Sequence, residues 1–152
     1  MDGVFTDKCM EYARQLLEKC RACGVRLGTA ESCTGGLVSG ILSAIPGASD
    51  VFEGTVVAYQ NRIKEKLLNV SAKTLATMGA VSAECAEEMA QGVCNLLGVP
   101  LGIAVTGIAG PGGATPEKPV GRVYIAVAYR GIVAVKEHTF DGTRAAVRAA
   151  TV

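Results

Sequence analysis

A hydroxyl, an amine and a phenol in this chain could do chemistry together if the fold brings them to one place. Ser32 lies in Thr29-Ala30-Glu31-Ser32-Cys33-Thr34-Gly35-Gly36, after a short apolar run at 25–27 and before a helical pattern that puts Leu37, Val38, Ile41, Leu42 and Ile45 on one face. A serine is thus delivered at a strand-to-helix turn. The two glycines let a ligand come close to the backbone, and the helix N-terminus beyond them offers unpaired N–H donors to an anion or a developing oxyanion. A tight turn built from small residues for its own sake would look the same in the sequence.

A serine hydroxyl is a weak nucleophile until a neighbour takes its proton. The one histidine, His138, falls on an outer strand far from the Ser32 turn and reads as an ordinary exposed imidazole. Lys64 is the alternative base. It follows Tyr59-Gln60-Asn61 by about one helical turn, and it could serve if burial lowers its pKa enough to leave it neutral near pH 7. Tyr59 could bridge or orient the serine and the amine. Spacing alone favours a solvated cation in an Arg62, Lys64, Lys66 run. A third group is the glycine-rich stretch 107–113, after an apolar strand ending at Thr106, which offers backbone N–H groups unobstructed by side chains. It has neither the Gly-Lys-Ser/Thr ending of a P-loop nor the G-x-G-x-x-G dinucleotide spacing. Arg144 and Arg148 lie four apart on the last helical pattern and can point the same way, toward a phosphate or carboxylate.

These groups need elements to hold them. Residues 6–23 form an amphipathic pattern that Thr6 or Asp7 can cap and Gly24 can stop. Strands are expected at 25–30, 52–59 and 101–106, and two more at 120–129 and 132–139 are joined by Arg130-Gly131 as an antiparallel hairpin. Helices are expected from the Ser32 turn to Pro46-Gly47, at 62–68 with Asn61 as N-cap, at 71–78, at 82–97 and at 143–152. Residues 124–128 are apolar on both faces, which predicts a central strand covered on both sides. This alternation predicts an α/β fold: a three-layer α/β/α sandwich whose mixed, mostly parallel sheet ends in an antiparallel hairpin. Ligands in such sheets bind at the carboxyl ends of strands. Ser32, Tyr59 with Lys64, and Thr106 with its glycine loop all follow such ends.

At 152 residues the chain is expected to form a single domain, 1–152, without a metal or disulfide staple. Fifteen Lys and Arg interspersed with fourteen Asp and Glu argue against nucleic-acid and membrane-surface partners and for a small-molecule ligand. No apolar run reaches membrane-spanning length, and residues 1–11 are acidic where a signal peptide would be basic, so a cytoplasmic protein is expected. Cys9, Cys20 and Cys23 fall on the stripe of the first helix, and Cys85 and Cys94 on that of a later one, the positions of small hydrophobes rather than of metal ligands. No metal and no cofactor is expected. A chain so rich in Ala, Val, Ile and Leu is expected to bury a symmetric interface as a homo-oligomer, a dimer being favoured.

Together the residues carry a resemblance. Ala30-Glu31-Ser32-Cys33-Thr34-Gly35-Gly36, Tyr59-Gln60-Asn61 with Lys64, Gly79-Ala80-Val81-Ser82, Thr106-Gly107-Ile108-Ala109-Gly110-Pro111 with Gly113 and Pro119-Val120-Gly121, and Gly142 with Arg144 and Val147-Arg148 resemble, in this order, the CinA C-terminal family. The resemblance implies a nicotinamide mononucleotide amidohydrolase that yields nicotinate mononucleotide and ammonia in pyridine-nucleotide recycling. It implies catalysis by Ser32, Tyr59 and Lys64. Thr34, Gly35 and Gly36 are expected to hold the oxyanion through their N–H groups. Asn61, Thr106, Gly107, Gly110, Gly112, Gly113 and Arg144 are expected to contact the nucleotide. Gln60 stands where the family commonly has serine, and Thr143 where it has aspartate. Some members are fused behind a larger N-terminal domain, so the chain resembles a stand-alone form or an excised domain. Two other functions remain open. A non-catalytic nucleotide-binding or interaction module could keep this fold. A short-chain dehydrogenase would also use serine, tyrosine and lysine, but with the last two four apart on one helix face and with an early cofactor loop that is missing here.

Overall fold

The computed structural model describes residues 5–152; residues 1–4, the start of the acidic segment weighed above, lie outside them. The chain runs α1 (Asp7–Cys23), β1 (Leu27–Glu31), α2 (Leu37–Ser43), β2 (Phe52–Val57), α3 (Asn61–Leu68), α4 (Ala72–Thr77), α5 (Ala83–Leu97), β3 (Leu101–Gly107), β4 (Arg122–Tyr129), β5 (Ile132–Thr139) and α6 (Arg144–Thr151), with a 3₁₀ turn at Ala48–Asp50 before β2. Capping follows the residue chemistry. The Thr6 and Ser82 hydroxyls accept from the N–H groups of Cys9 and Cys85, and Gly24 and Gly98 end their helices in the left-handed conformation.

The sheet order is β2-β1-β3-β4-β5. β1 pairs in parallel with β2 and β3, while β3–β4 and β4–β5 are antiparallel, so β4 alone runs against the other four strands. In register, Glu31 faces Val57 on one side and Val105 on the other. The carboxyl ends of the three parallel strands are therefore level, and the residues just beyond them share one rim.

One face of the sheet is covered by α1, α2 and α6, where Ala13, Leu17, Leu27, Ile41 and Leu42 are buried together and Val152 packs against them. The other is covered by α3 and α5 over a floor of small residues, Ala30, Ala104, Ala126 and Ala128. This floor lets α5 lie close. A Cβ on Gly102 would fall 2.5 Å from the Ala90 carbonyl oxygen, and a Cβ on Gly92 would fall 2.0 Å from that of Leu68, so α5 touches the sheet on one side and the end of α3 on the other, backbone against backbone.

Several expectations from the sequence shift. β1 starts two residues late and runs on through Glu31. Asn61 is the first helical residue of α3 rather than its cap; Gln60 takes the cap position without a side-chain hydrogen bond. Cys23 is exposed: it is the last residue of α1, and the buried cysteine of that turn is Cys20. β4 is central in its hydrogen bonding, yet Val127 is 40% exposed and its β5 partner Ala134 is exposed too, so the strand is not covered on both sides at the hairpin end. No helix among the described residues is long and apolar enough to cross a membrane.

Candidate active site

Ser32 follows β1 directly. Its N–H donates to the Val105 carbonyl at 3.0 Å and its carbonyl accepts from Gly35 N–H at 3.1 Å, so the turn is pinned to β3 and closed on itself. Beneath it lies a group that the sequence reading passed over. The Glu31 carboxylate is fully buried and accepts four hydrogen bonds: from the Thr34 hydroxyl (2.6 Å) and the N–H groups of Gly36 (3.0 Å), Val38 (3.1 Å) and Ser39 (2.7 Å). An anion thus already occupies the N-terminus of α2. Of the donors expected to hold an oxyanion, Gly36 N–H is engaged by the Glu31 carboxylate and Gly35 N–H by the Ser32 carbonyl. An acidic residue closing a buried strand just before a helix was the available signal.

Lys64 is only 1% exposed, not part of a solvated run with Arg62 and Lys66. α3 brings it inward because Leu68, one turn later on the same face, is buried against α5. Its Nζ lies 3.0 Å from Ser32 Oγ, 2.7 Å from the Ala58 carbonyl and 3.1 Å from the Tyr59 carbonyl. Ala58 extends the β ladder one residue beyond β2 through its N–H to the Glu31 carbonyl (2.8 Å), after which the chain turns and frees the Ala58 and Tyr59 carbonyls for the amine. No carboxylate pairs with Lys64 among the described residues. Burial holds its pKa below the ordinary lysine range, an effect that the Cys85 and Cys33 thiols oppose. Burial also pushes both thiols up to about 11, so they face the amine uncharged at neutral pH.

The Tyr59 side chain does not bridge Ser32 and Lys64. It is 55% exposed and its hydroxyl meets Arg144 Nη2 at 3.0 Å, while Arg144 Nη1 donates to the Gly110 carbonyl at 3.0 Å. Arg148 points elsewhere, donating to the Thr34 carbonyl at 2.9 Å, so the two arginines diverge. The Thr106 hydroxyl donates to the Ala80 carbonyl at 2.7 Å and ties the 79–82 loop to β3.

These groups enclose a cavity of about 220 Å³ whose wall includes Ser32, Cys33, Tyr59, Asn61, Lys64, Thr106, Gly107 and Arg144, completed by Ala80, Val81 and Ala109. Thr34, Gly35, Gly36, Gly110, Gly112 and Gly113 are not in that wall. Gly110 acts through the carbonyl that holds Arg144, and Gly112 and Gly113 are exposed on the loop beyond. The Ala80-Val81 wall was not expected from residue chemistry, since neither side chain carries a reactive group; only their place in the family-like blocks marked them. Among the described residues, no three His, Cys, Asp or Glu side chains cluster to hold a metal ion.

Relatives share this arrangement of elements. The chain is similar to the competence/damage inducible protein CihA of Agrobacterium tumefaciens, whose crystal structure superposes with a TM-score of 0.93 at 42% identity, over 97% of this chain and 90% of that one. The competence damage-inducible protein A (ComA) of Klebsiella pneumoniae gives a TM-score of 0.91 at 36% identity, over 94% of this chain and 89% of that one. A CinA-like protein of Dictyoglomus turgidum is 47% identical over 133 residues, 88% of this chain but 31% of that protein, so the chain spans about a third of the length of such curated relatives. With residues 10–152 also matching the family description itself, the chain belongs to the CinA C-terminal domain family.

Proposed function

We propose that the cavity hydrolyses a carboxamide, and that the substrate is nicotinamide mononucleotide. The surroundings of the Lys64 amine carry this reading. A neutral amine has two N–H donors and one lone pair. Lys64 Nζ donates to the carbonyls of Ala58 and Tyr59 and lies 3.0 Å from Ser32 Oγ, so in its neutral form the amine can give its two hydrogens to the carbonyls and turn its lone pair to the serine proton. No carboxylate beside the amine holds its charge among the described residues, and burial favours the neutral base.

In the proposed reaction, Ser32 Oγ attacks the carboxamide carbon while its proton passes to Lys64 Nζ. The tetrahedral adduct collapses with cleavage of the C–N bond, and Lys64 returns the proton to the departing ammonia. Water then adds to the acyl-serine ester, with Lys64 again accepting a proton and passing it to Ser32 as the carboxylate leaves. The sum is amide plus water giving carboxylic acid and ammonia, which in water become carboxylate and ammonium. With Gly35 and Gly36 engaged, the donors left in the cavity wall for the oxyanion are the Cys33 N–H, on the residue after the nucleophile, and the Asn61 side-chain amide, which has no protein partner among the described residues. Arg144 and the Gly107 edge of the wall hold the nucleotide part. Replacing Ser32 with Ala is expected to abolish ammonia release from nicotinamide mononucleotide while binding remains measurable by calorimetry. Undiminished turnover would overturn the assignment, and tight binding without ammonia release by the unaltered chain would mark a binding module instead.

A further inference from the structure

We propose that the Tyr59 phenol is a positioning group for Arg144: it fixes the guanidinium at the cavity mouth for the substrate's phosphate and takes no part in moving the serine proton. The inference rests on the reading above for the identity of the ligand. Two sets of contacts carry it. Around Lys64 Nζ every direction is taken, by Ser32 Oγ and the carbonyls of Ala58 and Tyr59, so no direction at the amine is left for a phenol. The phenol instead accepts from Arg144 Nη2.

Arg144 is held at two points on opposite sides of the mouth. Nη2 rests on Tyr59, at the β2–α3 junction, and Nη1 on the Gly110 carbonyl, beyond β3. Both acceptors are neutral and no carboxylate pairs with the guanidinium among the described residues, so its charge is uncompensated. Two of its five N–H groups are engaged, which leaves three for an anion. A planar fork fixed at both ends presents these in one orientation, the arrangement that suits bidentate contact with a phosphate. Without the phenol, the Gly110 contact alone would let the plane swing. The cost would fall on ligands that carry a phosphate and spare the same ligand without one.

The test uses the full chain with Ser32→Ala, so that ligands bind without turnover, and titrates nicotinamide mononucleotide and nicotinamide riboside by calorimetry. Tyr59→Phe is expected to weaken mononucleotide binding roughly threefold to tenfold, the effect of losing one positioning hydrogen bond, and to leave riboside binding unchanged. Added to Arg144→Ala, it is expected to have no further effect. In the chain that retains Ser32, Tyr59→Phe is expected to raise KM by the same factor and to act on kcat little, with the pH profile of kcat unmoved. Equal weakening of both ligands, additive effects with Arg144→Ala, or a kcat loss of about a hundredfold at constant KM, as for a lost acid–base group, would overturn the proposal. Binding that behaves as expected in a chain that never releases ammonia would overturn the amidase reading and leave the positioning role standing. Failure of the mononucleotide to bind would remove both.

Discussion

Gly92→Ala probes the link between packing and the candidate site. The added Cβ would lie 2.0 Å from the Leu68 carbonyl oxygen, 2.7 Å from its carbon and 2.9 Å from its Cα, where ordinary contact begins near 3.4 Å. The obstruction is backbone, so no rotamer change relieves it, and the end of α3 must retreat by about 1.4 Å. Overpacking of this kind costs roughly 1–3 kcal/mol, and a backbone clash belongs at the upper end. For a chain of this length, about 3 kcal/mol lowers the unfolding midpoint by roughly 6–12 °C. The second effect falls on chemistry. The Lys64 carbonyl is anchored by the Val70 N–H at 3.1 Å, so displacement of the 68–70 segment pulls on the helix turn that carries the amine, whose Nζ sits 3.0 Å from Ser32 Oγ. Misplacement of a reacting group by about 1 Å can cost on the order of a hundredfold in rate. Calorimetric unfolding and ammonia release, the latter measured well below both midpoints, separate the two effects. A variant with an unchanged midpoint, or a destabilised one with full turnover, would refute the coupling between α5, α3 and the amine.

The amine itself gives two further predictions. Because burial lowers the Lys64 pKa, the native state binds fewer protons than the unfolded chain between that lowered value and the ordinary one near 10.4; stability should therefore rise with pH across that window, by about 1.4 kcal/mol for each tenfold difference in proton affinity. Lys64→Met should flatten this rise in urea unfolding and abolish ammonia release; a variant that keeps the slope would exclude Lys64 as its source. In the unaltered chain kcat/KM should fall about tenfold per pH unit below the lowered pKa, and a rate independent of pH there would contradict an amine base. Glu31→Gln puts an NH2 group against N–H donors at the start of α2, at a cost of roughly 2–4 kcal/mol by urea unfolding with an unchanged m-value; a change within 0.5 kcal/mol would show that the carboxylate is not needed there.

Alternation of period made the layers legible: the stripe of α5 and the apolar run of β3 can pack in few ways, and the level carboxyl ends of β1, β2 and β3 follow from parallel pairing. The serine turn was legible because glycines and a hydroxyl after a strand carry a local signature. What escaped was long-range. Nothing local says whether Lys64 is solvated or buried, since that depends on Leu68 reaching α5 and on two carbonyls released past the end of β2. The engagement of the Gly36 N–H escaped for a similar reason: helix N-termini advertise free N–H groups, but Glu31 lies on the α2 face of β1 and reaches that of Gly36, with those of Val38 and Ser39. Tyr59 was placed with the correct neighbours in sequence and the wrong one in space, because Arg144, whose guanidinium its phenol meets, comes from the last helix of the chain.

The internal carboxylate at the start of α2 also governs how the pocket feels ionic strength. With that helix pole neutralised from within, the pull on an anion at this rim comes from guanidinium groups, Arg144 at its exposed edge and Arg148 on the Thr34 carbonyl. Fields from such surface charges decay over about 8 Å in physiological salt. Capture should accordingly be a short-range affair, sensitive to added electrolyte in its on-rate, while the bond-breaking step deeper in the cavity stays indifferent to it.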